Sequence, residues 1–448
     1  MKLTLINIII FINFILTLLE FKNNNKNFIY LICSFSILGF LLVVNSYFNS
    51  FMFDLDYWKC FFLVLVSILY LIIVNLIEEK TFDIYLLCLL AYLGSGLIIL
   101  SDNLISLYLG LELQTFSIFI LIAKNRASIK SAEAGLKYFI LGAISSGFYL
   151  LGVAILFLSG FSLELKEIII LSYEYINLVS IIFISLSFCF KLSLFPLHFW
   201  IPDIYEGTSW DIISLISTLP KISVICLAIQ LIINTNLFLI FSVFSIIIGT
   251  LGALNQTKIK RLLAYSGISH IGFILLGYSI LTKESYIIGN LYLFVYMIIM
   301  ISIFILIINN NFKNKFIIEL SGLKFVNKIY AITLCLLILS VAGIPPLSGF
   351  ISKWFLLWVS LEFNYNIASF IIVLFSAIGA GYYLRLVKII YFQKKSSYFL
   401  WQDVLKHKKE KNDLNLIILG FLFFICLFLI LNFSFIIDFI NISIINLF

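Results

Sequence analysis

Four lysines stand inside runs of residues that otherwise suit hydrocarbon: Lys137 in "EAGLKYFILG", Lys191 in "FCFKLSLFPLHFW", Lys221 in "STLPKISV" and Lys353 in "GIPPLSGFISKW". A charge at bilayer depth costs about 2.5–3.5 kcal/mol even on lenient insertion scales, so each needs a reason. An acid that could answer them is Glu112, in "YLGLELQTF", and His270 lies in "YSGISHIGF". Desolvation weakens a lysine's hold on its proton, and a nearby carboxylate strengthens it again. A lysine whose distance to a carboxylate changes can therefore take up or release a proton near neutral pH, whereas arginine holds its proton. A row of such groups, joined by water, Ser, Tyr and His, is a proton relay.

Each residue also has a plainer reading. Lys137 is about five residues into its span and could snorkel to the interface. Lys191, Lys221 and Lys353 lie near mid-span, where the alternative is a paired charge that only fixes helix packing, with Glu112 a simple partner. His270 is either a packing histidine or a bridge between Lys221 and Lys353, and His198, beside Trp200, reads as interfacial. The prolines favour the relay. The chain has 5 of them, and Pro196, Pro220, Pro345 and Pro346 share spans with Lys191, Lys221 and Lys353. Non-helical backbone at membrane depth survives only where protein or a water-filled cavity satisfies it, and a broken helix with an ionisable group points to a transport site.

The elements that hold these residues are membrane helices. Of 448 residues 63% are hydrophobic and 11% charged, far from the balance of a soluble domain. Windows of about 20 apolar residues mark fourteen spans: 3–21, 28–49, 58–77, 82–100, 104–123, 132–160, 177–200, 211–233, 236–256, 262–280, 285–309, 328–360, 365–391 and 414–440. Spans seven and twelve, with Pro196 and with Pro345 and Pro346, are expected to be broken. They are five spans apart, an odd shift that inverts topology and hints at inverted repeats of spans four to eight and nine to thirteen. Lysine precedes the break in one and follows it in the other. The expected division is an N-terminal three-helix segment (1–80), two repeats (81–235 and 236–391), and a basic loop with a C-terminal helix (392–448).

Loops after odd-numbered spans hold 21 of the 29 Lys and Arg, against 4 on the other side. The basic face should look to matrix or cytoplasm, with both termini opposite. Asp203, Glu206 and Asp211 read as a solvated acidic loop, and 391–413 as a basic segment lying on the membrane or a neighbour. Seven cysteines stand singly with no CxxC spacing, and three histidines offer no His-pair ligation. GxGxxG and Walker motifs are missing, so nucleotide binding has no support. Abundant Phe, Tyr, Ile, Asn and Lys with three arginines suit an AT-rich gene, organellar or bacterial.

"EAGLKYFILGAISSGFYLLG", "FKLSLFPLHFWIPDIYEG", "PKISV", "NQTKIKRLLAYSGISHIGFILLG" and "GIPPLSGFISKW" together resemble the subunit 2 family of NADH:ubiquinone oxidoreductase, respiratory complex I, over about residues 90–390. The resemblance implies an all-α, fourteen-helix antiporter-like fold with two inverted five-helix bundles. It implies Glu112 and Lys191 as the pair of a first half-channel, Lys221 as the central lysine, and Lys353 in a second half-channel. Lys137 and His270 are implicated as well. It further implies no cofactor in this chain, with flavin, iron–sulfur clusters and the quinone site in other subunits. The expected partners are other membrane-arm subunits, including adjacent antiporter-like ones, with lipids and the transported proton, and no nucleic acid. The expected location is the mitochondrial inner membrane, the alternative a bacterial plasma membrane. The competing functions are a subunit of a multisubunit cation/proton antiporter and a structural arm module with no proton path.

Overall fold

The computed structural model describes residues 49–50, 53–54, 56–77, 81–125, 128–160, 164–165, 175–231, 235–309, 316–394, 413–429 and 432–444. The spans expected at 3–21 and 28–49, save Asn49, lie outside these residues, as does most of the 391–413 segment.

Hydrocarbon offers no partner to a backbone N–H or C=O, so apolar runs of this length close their hydrogen bonds within helices. After a short antiparallel pair, β1 (Asn49–Ser50) and β2 (Phe53–Asp54), come α1 (Tyr57–Leu76), α2 (Phe82–Leu100), α3 (Leu104–Ile122), α4 (Ile129–Leu158), α5 (Tyr175–Leu192), α6 (Trp200–Gly207), α7 (Trp210–Leu231) and α8 (Thr235–Leu254). Then follow α9 (Ile259–Ser279), α10 (Lys283–Asn309), α11 (Leu323–Val326), α12 (Lys328–Ala342), α13 (Ser348–Glu362), α14 (Asn366–Tyr391), α15 (Asp413–Phe428) and α16 (Phe433–Ile444). Polar caps set two starts that matter here. The Asn103 side chain accepts from Ile105 N at 3.1 Å ahead of α3, and Ser128 caps α4.

Among the described residues nine helices are long and apolar enough to cross a membrane: α1–α4, α7–α10 and α14. The shortfall against fourteen has physical causes. The seventh and twelfth spans are each two helices, α5 with α6 and α12 with α13, separated at residues 193–199 and 343–347. The fourteenth is not one straight span, because α15 and α16 meet at 97°. Peptides Phe195–Pro196 and Pro345–Pro346 are cis.

The chain forms two compact units. The first takes the described residues up to Lys191, with those of 215–234 and 442–444; in it α2 packs along α3 and α3 against α4. Gly94 permits the first contact, since a Cβ there would stand 2.8 Å from Gln114 N. The second takes Leu192–Ser214 and Thr235–Asn441, with α9 packed along α8 and against α6, and α14 against α12 and α8.

Candidate functional site

In the first unit, Glu112 sits midway along α3, with Thr115 Oγ1 3.4 Å from its Oε2. Its charge acts on Lys191 and on Tyr138 of α4, although Glu112 and Lys191 do not close to an ion pair. Lys191 is buried, 7% exposed, in the last turn of α5, where the negative end of the helix dipole favours a cation. Its Nζ lies 5.6 Å from the Phe190 ring centroid, and Tyr138 packs on that same ring at 6.1 Å. Lys137 is placed differently. Neighbouring residues of a helix point about 100° apart, so Tyr138 turns inward while Lys137 faces outward, 39% exposed and paired with Glu133 at 2.7 Å. The structure thus brings Glu112, Tyr138 and Lys191 together, and Tyr138 is a neighbour that a reading confined to charged residues missed.

Lys221 lies in α7 directly after Pro220. Proline lacks the N–H that would bond the carbonyl four residues back, so Ile216 C=O loses its helical donor. The Lys221 side chain is 2% exposed, and its Nζ has no hydrogen-bond partner among the described residues. Close by along α7, Ser223 Oγ accepts from Gln114 Nε2 of α3 at 3.3 Å.

In the second unit, His270 on α9 is 3% exposed and held by two hydroxyls: Nδ1 is 2.9 Å from Tyr292 Oη and Nε2 3.1 Å from Tyr383 Oη. A hydroxyl donates or accepts by rotating, so both neutral tautomers of the ring are satisfied. Lys353 reaches back from α13 across the break, donating to Ala342 O at 2.7 Å and Val341 O at 3.1 Å at the C-terminal end of α12. Gly343 makes that reach possible. Its φ is +82°, and a Cβ there would stand 2.7 Å from Lys353 Cδ. Between His270 and Lys353 lies a cavity of about 10 Å³, also lined by Tyr292, Tyr296, Ser340 and Ser352. That is the lower limit of space for one water. On its other side Lys353 borders a cavity of about 250 Å³ beside Gly343, Phe350, Ser376 and the half-exposed Trp354.

The order of lysine and break, reversed between the two spans in sequence, is resolved here. Lys191 stands in the last turn of the first half-helix, and Lys353 folds back onto the last carbonyls of the first half-helix. Both ammoniums meet a negative dipole end.

Two groups of charges were misread from sequence. The acidic residues after the broken helix are not a solvated loop: Asp203 pairs with Arg261 at 2.5 Å and Glu206 with Lys258 at 2.6 Å, joining α6 to the start of α9. The second is Lys59, one of the 4 basic residues counted on the side opposite the basic loops, which is wholly buried in α1 and paired with Asp102 at 2.5 Å. The signal that could have found it is position, since Lys59 begins an unbroken apolar run. His198, in the break itself, is 4% exposed with its ring 4.1 Å from that of Phe199, a packed rather than interfacial histidine.

Residues 101–379 match the family described as NADH:quinone oxidoreductase/Mrp antiporter, TM, a stretch that contains all six candidate residues. A NADH-ubiquinone oxidoreductase chain 2 from Metridium senile is 40% identical over 77% of this chain and 92% of its own length. The chain belongs to this family. Among other chain 2/subunit N proteins, NADH-quinone oxidoreductase subunit N 1 from Rhizobium meliloti (strain 1021) is 35% identical over 71% of this chain and 70% of its own. A chain of respiratory complex I from Thermus thermophilus has the same fold, with a TM-score of 0.85 over 98% of this chain and 99% of that one at 23% identity. As a chain 2/subunit N protein, this is a multi-pass, antiporter-like membrane subunit of NADH:quinone oxidoreductase.

Proposed function

We propose that this subunit moves protons through its own interior, coupling NADH:ubiquinone electron transfer in other subunits to pumping. The carriers are Glu112, Lys191 and Lys221 in the first unit and His270 and Lys353 in the second, with Lys137 on the outward face of α4. The observation that carries this reading is Lys221, 2% exposed, with its Nζ lacking a hydrogen-bond partner among the described residues. A charge kept only for packing would be paired, because an unpaired buried ion destabilises the fold. A group that must gain and lose a proton is left free to do both. Glu112 acts on Lys191 from a distance, so a change in their separation changes how firmly the lysine holds its proton. In the second unit the two tautomers of His270 let it take a proton on one ring nitrogen and release one from the other. A single water in the small cavity could carry that proton to or from Lys353.

In this reading spans four to eight and nine to thirteen are inverted repeats, supported by the common placing of Lys191 and Lys353 at the end of a first half-helix. The basic loops face the mitochondrial matrix. Flavin, iron–sulfur clusters and quinone belong to other subunits of the complex, and adjacent antiporter-like subunits and lipid cover the exposed apolar side chains of α4 and α14, among them Leu136, Ile140, Phe370 and Val373.

Replacing Lys221 with Met, which keeps the volume and removes the titrating group, tests this. The complex should assemble, while proton pumping and coupled NADH oxidation fall on the order of tenfold or more, as for loss of an essential acid–base group. Unchanged pumping in the assembled variant would sink the relay.

A further inference from the structure

We propose that Tyr292 passes the proton between His270 and Lys353, and that the Tyr296 hydroxyl holds the water over which it travels. This rests on the relay reading above and names the groups that complete it in the second unit.

Both ring nitrogens of His270 are already met by hydroxyls, Nδ1 by Tyr292 at 2.9 Å and Nε2 by Tyr383 at 3.1 Å. A proton that enters or leaves the ring by these contacts crosses one of the two phenols. They lead to different places. Tyr292 lines the cavity of about 10 Å³ that Lys353 also lines. Tyr383 borders a separate, apolar cavity of about 30 Å³ with Leu263, Ile338 and Leu386, which Lys353 does not line. The way to Lys353 is through Tyr292.

A second phenol faces the same small cavity. Tyr296 stands one helical turn beyond Tyr292 on α10, with its ring stacked on the imidazole of His270, centroids 5.0 Å apart and planes at 20°. Its Oη is buried and has no hydrogen-bond partner among the described residues. A tyrosine kept only for its stacking would do as well or better as phenylalanine, because an orphan hydroxyl in the interior costs stability. A water in the cavity gives that hydroxyl its partner. The other walls suit the same water. Ser340 Oγ donates to Leu337 O at 2.6 Å and Ser352 Oγ to Gly349 O at 3.0 Å, so each serine is left as an acceptor. Gly349 keeps the space to one molecule: it brings α13 so close to α12 that a Cβ there would run into Ser340 O.

Lys353 is prepared for both protonation states. An ammonium has three N–H bonds and an amine two, and Nζ directs two to Ala342 O at 2.7 Å and Val341 O at 3.1 Å. Those hydrogen bonds persist when one proton is lost, so the change falls on the third position, an N–H in one state and a lone pair in the other. The step balances without any co-reactant. The Nδ1–H bond of the His270 imidazolium breaks as a new O–H bond forms at Tyr292 Oη. The phenol's own proton passes to the water, and a proton of the water passes to the Nζ lone pair. Imidazolium and amine become imidazole and ammonium, and rotation of the hydroxyl and the water resets the chain.

Tyr292→Phe and Tyr296→Phe each remove one oxygen and keep the ring. In native membrane vesicles each assembled variant should pump fewer protons per NADH oxidised, Tyr292→Phe by about tenfold or more, as for loss of a proton-transferring group. A normal ratio in Tyr292→Phe overturns the route, and a normal ratio in Tyr296→Phe overturns the held water. The double variant separates a proton chain from a packing defect. Groups in one hydrogen-bond network are not additive, so it should pump as Tyr292→Phe does, and losses that multiply overturn the proposal. Should neither single variant assemble, the unmodified complex decides: turnover-induced infrared difference spectra should contain tyrosine bands that ring-¹³C-labelled tyrosine shifts, and their absence overturns the route. Lys221→Met, measured alongside, distinguishes this proposal from the reading beneath it. Pumping lost in Lys221→Met but intact in Tyr292→Phe removes the tyrosine route alone, whereas pumping intact in both removes the relay with it.

Discussion

Lys353 is held where it is by a residue that carries no side chain. Gly343 ends α12 at φ +82°, and the aliphatic part of Lys353 passes where its Cβ would be. Gly343→Ala therefore meets both backbone strain and a 2.7 Å contact with Lys353 Cδ. Left-handed backbone at a non-glycine residue costs about 1–3 kcal/mol at such constrained sites. The expected result is a lower melting temperature of the assembled complex and displacement of the ammonium from the Ala342 carbonyl, read as lost pumping. Gly147→Ala, with nothing within 4 Å of the added Cβ, should change neither. The sequence marked Lys191, Lys221 and Lys353 as costly because hydropathy is a property of residues in order. It did not separate Lys137 from Tyr138, because which of two neighbours faces inward depends on the helix packed against them; here it is Tyr138, against the Phe190 ring.

At the scale of elements, the broken spans are built from two half-helices whose first C-terminus faces a lysine. Proline predicts the break but not where the freed carbonyls point. The same limit explains the acidic residues of α6. In sequence they stand 52 to 58 positions from their partners, and only the packing of α6 on α9 brings Asp203 to Arg261 and Glu206 to Lys258. These groups are part-exposed, so their worth is modest, about 1 kcal/mol or less per pair. Arg261→Gln should accordingly assemble and pump, while amide hydrogen exchange across residues 200–207 becomes faster. Unchanged exchange there would mean that α6 is held by its apolar face, Trp200, Ile201, Ile204 and Tyr205, without help from the charges.

For the whole molecule, the asymmetry of basic residues predicts an orientation that chemical labelling can check. Lys328, at the start of α12, belongs to the basic face and Lys283, at the start of α10, to the opposite one; both are exposed. Single cysteines at 328 and 283 should react with an impermeant maleimide from opposite sides of sealed vesicles, the first only from the matrix or cytoplasmic side. Labelling of both from one side would overturn the span count between them, in which α10 is the single crossing.

Composition, hydropathy and the placing of proline determined by themselves that this is a polytopic helical membrane protein, that spans seven and twelve break, and which lysines require explanation; they did not foresee the bend between α15 and α16. These follow from local physics: the length of a helix in hydrocarbon and the cost of a charge or a missing N–H within it. The tertiary structure alone decided partners. It paired Lys59 with Asp102, left Lys221 Nζ without a hydrogen bond among the described residues, gave His270 two hydroxyls, and brought Lys353 back over the break it follows. A charged group's behaviour is set by the few atoms within about 4–6 Å of it, and those atoms come from helices far apart in the chain.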